Sequence, residues 1–388
     1  MNAYQALQHD THSTFSFNKI GATKPFFLEF FAGSGLVSYA LDPFFNLSWA
    51  NDICTKKGEV FTTNHPGKVF ELGSITDVKG KYLPESVLSW ASFPCQDLSL
   101  AGNAGGIRAK RSGLVWEWLR VMDEMPVRPP LLVAENVVGL VSTKQGKDYR
   151  ELHKELVARG YVVGAMLLDA VHWLPHSRPR VFIVATLLNK NSIPTNLVSE
   201  CPTWTHPLTI QRASKGLARW VWWNLPSPPH PQSTTLESLI DFSIPCQDEA
   251  TSHRNLEMLP TTHWQRLQKS GRTVVPGYKR MRQGKQVLEL RFDGNLGCLR
   301  TPSGGSSRQY LVIKCGNSWR TRILSPLEAA RFMGAPRNYK LPNSFNAGYK
   351  AMGDAVAVPV VQFLAKHLLV KLAQFQTRGD TYGHTTRT

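Results

Sequence analysis

None of the six cysteines, Cys54, Cys95, Cys201, Cys246, Cys298 and Cys315, stands in a Cys-x-x-Cys pair, which removes the usual zinc-ligand spacing and any disulfide scaffold. A reducing, cytosolic setting fits that usage, and no metal is expected. Long apolar runs are equally scarce, since nothing approaches the roughly 20 residues of a membrane span. The first 24 residues are polar, rich in Thr and His, with no basic stretch leading into a hydrophobic one. We therefore expect a soluble chain with neither leader nor membrane partner. Acid is in short supply: 28 Asp and Glu against 45 Lys and Arg leave a formal charge of +17. That balance suits a protein that meets a polyanion such as nucleic acid, or a basic soluble enzyme. No Gly-Lys-Ser/Thr occurs, so a P-loop is excluded, and no internal repeat is visible.

What is present is enough apolar material, 42% of 388 residues with 10% aromatic, for one large core and a smaller second one. From Pro25 to Ala185 short apolar runs alternate with helical patterns, the reading for an α/β sheet built of βαβ units. Strands are predicted at 26–31, 47–50, 69–72, 87–92, 131–135, 162–168 and 180–185, and helices at 35–41, 56–64, 113–124 and 147–158. After Leu187 the alternation stops and prolines cluster between Trp223 and Pro231. We place a domain boundary there, giving residues 1–187, 188–343 and a closing helical segment 344–388. Between Arg266 and Arg291 there are eight Lys or Arg and one acid, Glu289, interleaved with Trp264, Tyr278 and three glycines. Such a run is either a solvated face or a set of loops that contact phosphate through Lys279, Arg280 and Arg282. Ser325-Pro326-Leu327-Glu328 carries the residues of a helix capping box with proline at the first helical position.

Phe93-Pro94-Cys95-Gln96 closes the apolar run that begins at Val87, placing a thiol at the end of a strand, ahead of a small, glycine-rich loop. A positive or dipolar environment at such a place lowers a thiol pKa, and the loop can close over a substrate. The tetrapeptide Pro-Cys-Gln-Asp recurs at Pro245 to Asp248, so Cys246 is a rival nucleophile; its irregular surroundings favour Cys95. Phe31-Ala32-Gly33-Ser34-Gly35 follows a strand and opens a helix, the setting in which glycine lets a nucleotide approach the backbone, or simply a tight turn. Asp52, at the end of the second strand, fits ribose hydroxyls or a helix cap. Glu135 ends a fifth apolar strand, where desolvation raises a carboxyl pKa; pairing with arginine is the structural alternative. Arg178 and Arg180, two residues apart in an extended segment, share a face and suit a phosphate, a carbonyl or a carboxylate.

In this order the motifs resemble the DNA cytosine-5 methyltransferases, over almost all of the chain outside roughly residues 188–295. Phe27 to Gly35 is similar to the first cofactor motif, Phe93 to Gln96 to the nucleophile motif, and Arg111 to Trp116 to the end of the catalytic loop. Glu135-Asn136-Val137, Arg178-Pro179-Arg180, Arg322 to Gly334 and Tyr349 to Val356 resemble further motifs of the family. The resemblance implies a Rossmann-like catalytic domain that binds S-adenosyl-L-methionine through Phe31, Ala32, Gly33, Gly35, Asp52, Ile53, Ser74, Ile75, Pro94, Asp354 and Ala355. It implies that Cys95 attacks cytosine C6, with Glu135 at N3, Arg180 at O2, and Arg178 ordering a loop or a phosphate. Gln96, Ser99 and Arg111 would contact DNA, and residues 188–320 would hold the target-recognition domain. A monomer acting on double-stranded DNA in the cytoplasm, at the nucleoid, follows, with a cognate restriction endonuclease as possible partner. Departures from the pattern are Glu29 for Asp, Ile53 for Trp, Ser74 for Asp, His176 for Gln and Asp354 for Asn. Methylation of RNA cytosine and a catalytically silent DNA-binding regulator are the competing readings; a nicotinamide dehydrogenase is disfavoured by the missing third glycine.

Overall fold

Seven of the predicted apolar runs form one sheet in the computed structural model, which describes residues 24–94, 113–228, 234–301 and 308–383. The strands are β1 (Phe26–Phe30), β2 (Asn46–Asp52), β3 (Phe70–Leu72), β4 (Leu88–Ala91), β5 (Leu131–Val137), β6 (Val162–Asp169) and β7 (Pro179–Thr186). Their order is β3-β2-β1-β4-β5-β7-β6. The first five run parallel, connected by helices α1 (Leu36–Leu41), α2 (Thr55–Asn64) and α3 (Leu114–Glu124). The sequence pattern of repeated βαβ units fails at the end, where β7 is antiparallel to both β5 and β6. The reason lies in the connection. A parallel return needs about a dozen residues or more, and Ala170–Arg178, between β6 and β7, holds only a single 3-10 turn.

α3 shows how sequence places helix on sheet. Val115, Trp118, Leu119 and Met122 recur on one face and are fully buried, and Trp118 Nε1 donates to Ser89 Oγ of β4 at 2.9 Å. A fourth helix, α4 (Lys147–Ala158), buries Tyr149, Leu152 and Leu156 into the same core.

The described residues divide into two compact units, the α/β unit lying within Thr23–Asp169, Pro179–Ser227 and Val358–Thr388. The change of texture at Leu187 is thus not where the units part. Residues 188–227 stay with the sheet: β8 (Val198–Ser199) pairs with β9 (Trp222–Trp223), and Trp223 Nε1 donates to Val184 O at 3.1 Å. It is the proline cluster that marks the passage between units. The closing helix runs through Val358–Leu364, a π segment and Val370–Gly383, with Pro359 in the first turn where no N–H is needed. The helical stretch Phe345–Gln376 is long and apolar enough by composition to cross a membrane, which the sequence reading passed over, but 61% of its apolar window is buried in protein.

The second unit, within Ala170–Arg178 and Pro228–Ala357, is built on a four-stranded antiparallel sheet whose third strand in the chain pairs with the first and the fourth. Helices α6 (Glu249–Glu257) and α7 (Thr261–Lys269) precede β10 (Val274–Arg282) and β11 (Lys285–Leu290); α5 (Leu208–Ser214) belongs to the α/β unit. β12 (Gln309–Cys315) and β13 (Ser318–Ile323) complete the sheet. Leu267, Val275, Leu288, Leu290, Tyr310 and Val312 form its core. Among the described residues β10 pairs with β12 as far as Gln309, opposite Tyr278, and Lys279 to Arg282 pair with β11. The outer part of the β10–β11 hairpin is a basic ribbon, with Lys279, Arg280, Arg282 and Lys285. Its two-residue turn has positive φ at Gln283 (48°) and Gly284 (79°), the twist a tight hairpin prefers. α8 (Pro326–Arg331) begins with the predicted capping box, and α9 (Phe345–Asp354) follows.

Candidate active site

Because β1, β2, β4 and β5 are parallel, their carboxyl ends fall on one edge of the sheet, and the order reverses between β1 and β4, where α/β sheets bind ligands. The β1 exit turns sharply through Phe31 (φ 56°), Gly33 (57°) and Gly35 (83°). Gly35 tolerates no side chain, since a Cβ there would lie 2.6 Å from His65 Nε2 and 2.8 Å from the Phe61 ring. Asp52, at the end of β2, is not a helix cap. Its Oδ2 accepts from Gly33 N and its Oδ1 from Cys54 N, both at 2.8 Å, so one carboxylate joins the β1 and β2 exits. Asn51 does the same for the β3 exit, donating to Glu71 O at 2.9 Å and Gly73 O at 3.0 Å.

Behind this edge Glu29 is buried on β1, hydrogen-bonded by the Ser38 hydroxyl. Burial pushes its carboxyl up to about 8, against the lowering effect of Ser38, and Asp52 adds to the rise. Ile53 is 72% exposed, an apolar side chain left on the surface beside Asp52. Ser74 bonds Thr76, and Ile75 is buried in the core, so its side chain does not line the edge.

Glu135 is buried at the end of β5, and Arg180 Nε lies 3.1 Å from its Oε1. The antiparallel β7 makes this possible. Its first residues lie at the carboxyl edge, Arg180 sits opposite Val137, and Glu135 occupies the diagonal position on the same face. Of the two expectations for this carboxyl, desolvation alone or pairing with arginine, the structure has the second. Asn136, which the sequence reading treated only as part of a motif, donates to Phe93 O at 3.0 Å and accepts from Val137 N. It fixes the strand end that leads into Cys95. An amide beside a strand-end carboxylate was the signal available. Pro94 is half-buried here. Cys95, Gln96, Ser99 and Arg111 lie outside the described residues.

Arg178 and Arg180 do not act as a pair. Arg178 is 2% exposed, and within the second unit its guanidinium donates to Leu299 O (2.8 Å), Gly353 O (3.0 Å) and Ala355 O (2.5 Å). Its group is committed to ordering backbone. His176 assists from the same segment: Nδ1 donates to Phe332 O at 2.9 Å and Nε2 accepts from Leu299 N at 3.3 Å, which fixes a neutral tautomer. Thr301 donates to Asp354, beside Ala355. Lys279, Arg280 and Arg282 all stand on the ribbon, where Glu289 lies 3.3 Å from Arg280 and 2.5 Å from Arg282.

The rival tetrapeptide is structural. Asp248 caps α6 by accepting from Thr251 N at 2.7 Å, and Gln247 binds Asn255 and Thr321 side chains at 2.9 Å each. Burial, and next the neighbouring Cys315 thiol, push the Cys246 thiol up, the wrong direction for a nucleophile.

Residues 26–370 match the family model described as C-5 cytosine-specific DNA methylase. The type II methyltransferase M.Bsp6I of Bacillus sp. (strain RFL6) is 24% identical over 345 residues, 87% of this chain and 96% of that protein. M.HhaI of Haemophilus parahaemolyticus is 25% identical over 347 residues, 88% of this chain and 93% of its own length. Among solved structures, the S. pombe Dnmt2 methyltransferase superposes with a TM-score of 0.57 at 18% identity, covering 90% of this chain and 99% of that one. A putative DNA modification methyltransferase encoded within an E. coli prophage gives 0.54 at 16% identity, covering 91% and 100%. These likenesses carry the fold, and the match across nearly the whole described chain carries the family: this protein belongs to the C-5 cytosine-specific DNA methylases.

Proposed function

We propose that the chain methylates C5 of one cytosine in a specific duplex DNA sequence, as the modification half of a restriction-modification system. The observation that carries this reading is the Glu135–Arg180 pair on the sheet edge to which Asn136 ties the strand end before Cys95. C5 of cytosine is too weak a nucleophile to take a methyl group unaided. Addition of the Cys95 thiolate at C6 converts the ring to an enamine, and the charge that develops at N3 and O2 needs partners. Glu135 serves N3 and Arg180 serves O2. Loss of the C5 proton after transfer restores the double bond and expels the thiolate. The target base leaves the stack first, at a cost of a few kcal/mol.

The family uses S-adenosyl-L-methionine, which when bound supplies the electrophilic methyl group. The residues present fit such a group. Glycine conformations at Gly33 and Gly35 open the β1 exit, Asp52 offers a carboxylate for ribose hydroxyls, and the exposed Ile53 offers an apolar surface to a flat ring. Ala32, Phe31, Ser74 and Pro94 surround these positions in sequence. Asp354 and Ala355, held by Thr301 and Arg178, complete the proposed set. The part of the second unit that begins at Pro228 is proposed to hold the recognition function, with DNA contacts from Lys279, Arg280 and Arg282.

Duplex DNA containing 5-fluorocytosine at the target gives a complex stable on denaturing gels, lost in Cys95→Ala and kept in Cys246→Ala. The reverse pattern would falsify the assignment. Methyl incorporation measured side by side into duplex DNA and tRNA separates the DNA reading from an RNA one.

A further inference from the structure

The glycine turn at the β1 exit is tied down by a side chain that neither the motifs nor the proposed chemistry uses. Gly35 stands before α1 in the left-handed region, with φ 83° and ψ 18°. Its carbonyl accepts from Tyr39 N at 2.9 Å, within the first turn of the helix, and from His65 Nε2, also at 2.9 Å. A carbonyl can only accept, so the His65 proton sits on Nε2. The imidazole occupies the space that a side chain on Gly35 would need, with Nε2 2.6 Å from that Cβ position. His65 itself is well anchored. Its backbone N–H donates to Phe61 O at 2.9 Å as the C-cap of α2. Its ring packs on buried Phe61 at 4.7 Å between centroids, and Phe70 packs on Phe61 at 4.8 Å. Burial holds the imidazole below its ordinary range, against the raising effects of the Gly35 carbonyl and Asp42 and with a small lowering from Lys68, so the ring is neutral at neutral pH.

We propose that His65 is a positioning residue for S-adenosyl-L-methionine: its Nε2–H grips the Gly35 carbonyl and holds the turn from Phe31 to Gly35 in the conformation that receives the cofactor. The inference rests on the cofactor reading of this turn given above. Glycine has more backbone freedom to lose than any other residue, and Gly35 is kept bare by the close approach of His65. An untied turn samples other conformations and must be ordered when the cofactor arrives. A tied one is ordered on folding, so less of the binding free energy is lost. Gly33 is pinned separately, its N–H donating to Asp52 at 2.8 Å. The two glycines of the turn are thus braced from different elements, Gly33 from the end of β2 and Gly35 from the end of α2. His65 acts on the cofactor through Gly35.

Calorimetric titration of the full-length protein with S-adenosyl-L-methionine tests this in two variants. His65→Leu removes the donor, and affinity is expected to fall about 3-fold to 10-fold, the contribution of one neutral hydrogen bond. His65→Gln carries an amide N–H to about the place of Nε2 and is expected to bind within about twofold of the parent. KM for the cofactor follows the same order, while kcat stays within about twofold. A further readout keeps the parent side chain. With histidine nitrogens isotopically labelled, the His65 Nε2–H, assigned by its absence in His65→Gln, exchanges with water more slowly once S-adenosyl-L-homocysteine saturates the site. Bond and ligand must support each other equally. Parent-like affinity in His65→Leu overturns the proposal. So does equal weakening in both variants at unchanged urea midpoints, which leaves the ring's packing as its only role, or an exchange rate that S-adenosyl-L-homocysteine does not move. A parent protein that binds neither compound overturns the cofactor reading itself, and this inference with it.

Discussion

Arg180 reaches Glu135 from a strand that runs against its neighbours, Nε to Oε1 at 3.1 Å, with both side chains nearly buried. A reversed strand delivers its first residues to the edge where parallel strands end, so the pair depends on the β5–β7 register. If Glu135 serves N3 of the base, Glu135→Gln loses about 10²-fold to 10⁴-fold in methyl transfer, the range of a general acid or base. Binding of S-adenosyl-L-methionine, followed by calorimetry, stays within a few-fold because Glu135 is not among the groups proposed to hold it. Turnover close to that of the parent would remove Glu135 from the mechanism.

Glu29 offers a test that needs no substrate. Burial raises its folded-state pKa from 4.5 to about 8, so between those values the folded protein keeps a proton that the unfolded chain has released. Stability conferred by this group therefore falls as pH rises through that window and is lost above about 8. At pH 7 the difference from pH 4.5 is about 3 kcal/mol, at 1.36 kcal/mol per unit. Glu29→Gln keeps a neutral partner for Ser38 and removes the titration. We expect the urea midpoint of the parent to drop between pH 5.5 and 8 by clearly more than that of the variant. Parallel pH profiles would show that Glu29 is ionised in the folded state.

The strands and helices up to Thr186 were legible to within a few residues because each carries its own local signal. Apolar runs mark β1, β4 and β5, and the 3.6-residue spacing of Val115, Trp118, Leu119 and Met122 marks α3. The direction of β7 was not local information; it follows from the brevity of the link before it. The same holds for Arg178 and Arg180, whose spacing predicts a shared face, although Arg178 is drawn away by carbonyls at residues 299, 353 and 355 that no sequence window contains. Duplicated Pro-Cys-Gln-Asp shows the limit from the other side. One copy of the tetrapeptide begins at Pro94, shortly after β4, and the other caps a helix at Asp248; the flanking sequence separates the two, but the capping role of Asp248 is not written in the tetrapeptide itself.

Gly353 is held to glycine by close approach rather than by backbone conformation. A Cβ there would lie 2.7 Å from both Arg300 C and Thr301 N, atoms of backbone that cannot rotate aside. Its carbonyl also accepts from Arg178. Gly353→Ala should cost at least about 1–3 kcal/mol, the usual penalty for overpacking, seen as a lowered urea midpoint. An unchanged midpoint would mean that the segment at residues 299–301 sits farther from α9 than the structure places it.

The ribbon from Lys279 to Lys285 yields the sharpest electrostatic prediction, because its cations are not equivalent. The Arg282 guanidinium holds the Glu289 carboxyl below its ordinary value despite partial burial, and Arg280 adds to the effect. Two arginines thus share one acid, whereas Lys279 lies over the Tyr310 ring at 4.8 Å and Lys285 is exposed at the turn. If the ribbon contacts phosphates, replacing Lys279 and Lys285 together with Ala should lower the slope of log K against log salt by roughly 2, at about 0.9 per phosphate. The Arg280→Ala, Arg282→Ala pair should lower it by less, since part of their charge is already answered by Glu289. Binding should weaken about equally for target and non-target duplexes in the lysine pair. A salt series on both duplexes reads all of this. An unaltered slope in the lysine pair makes the ribbon a solvated face, and a loss confined to the target duplex makes these side chains readers of bases.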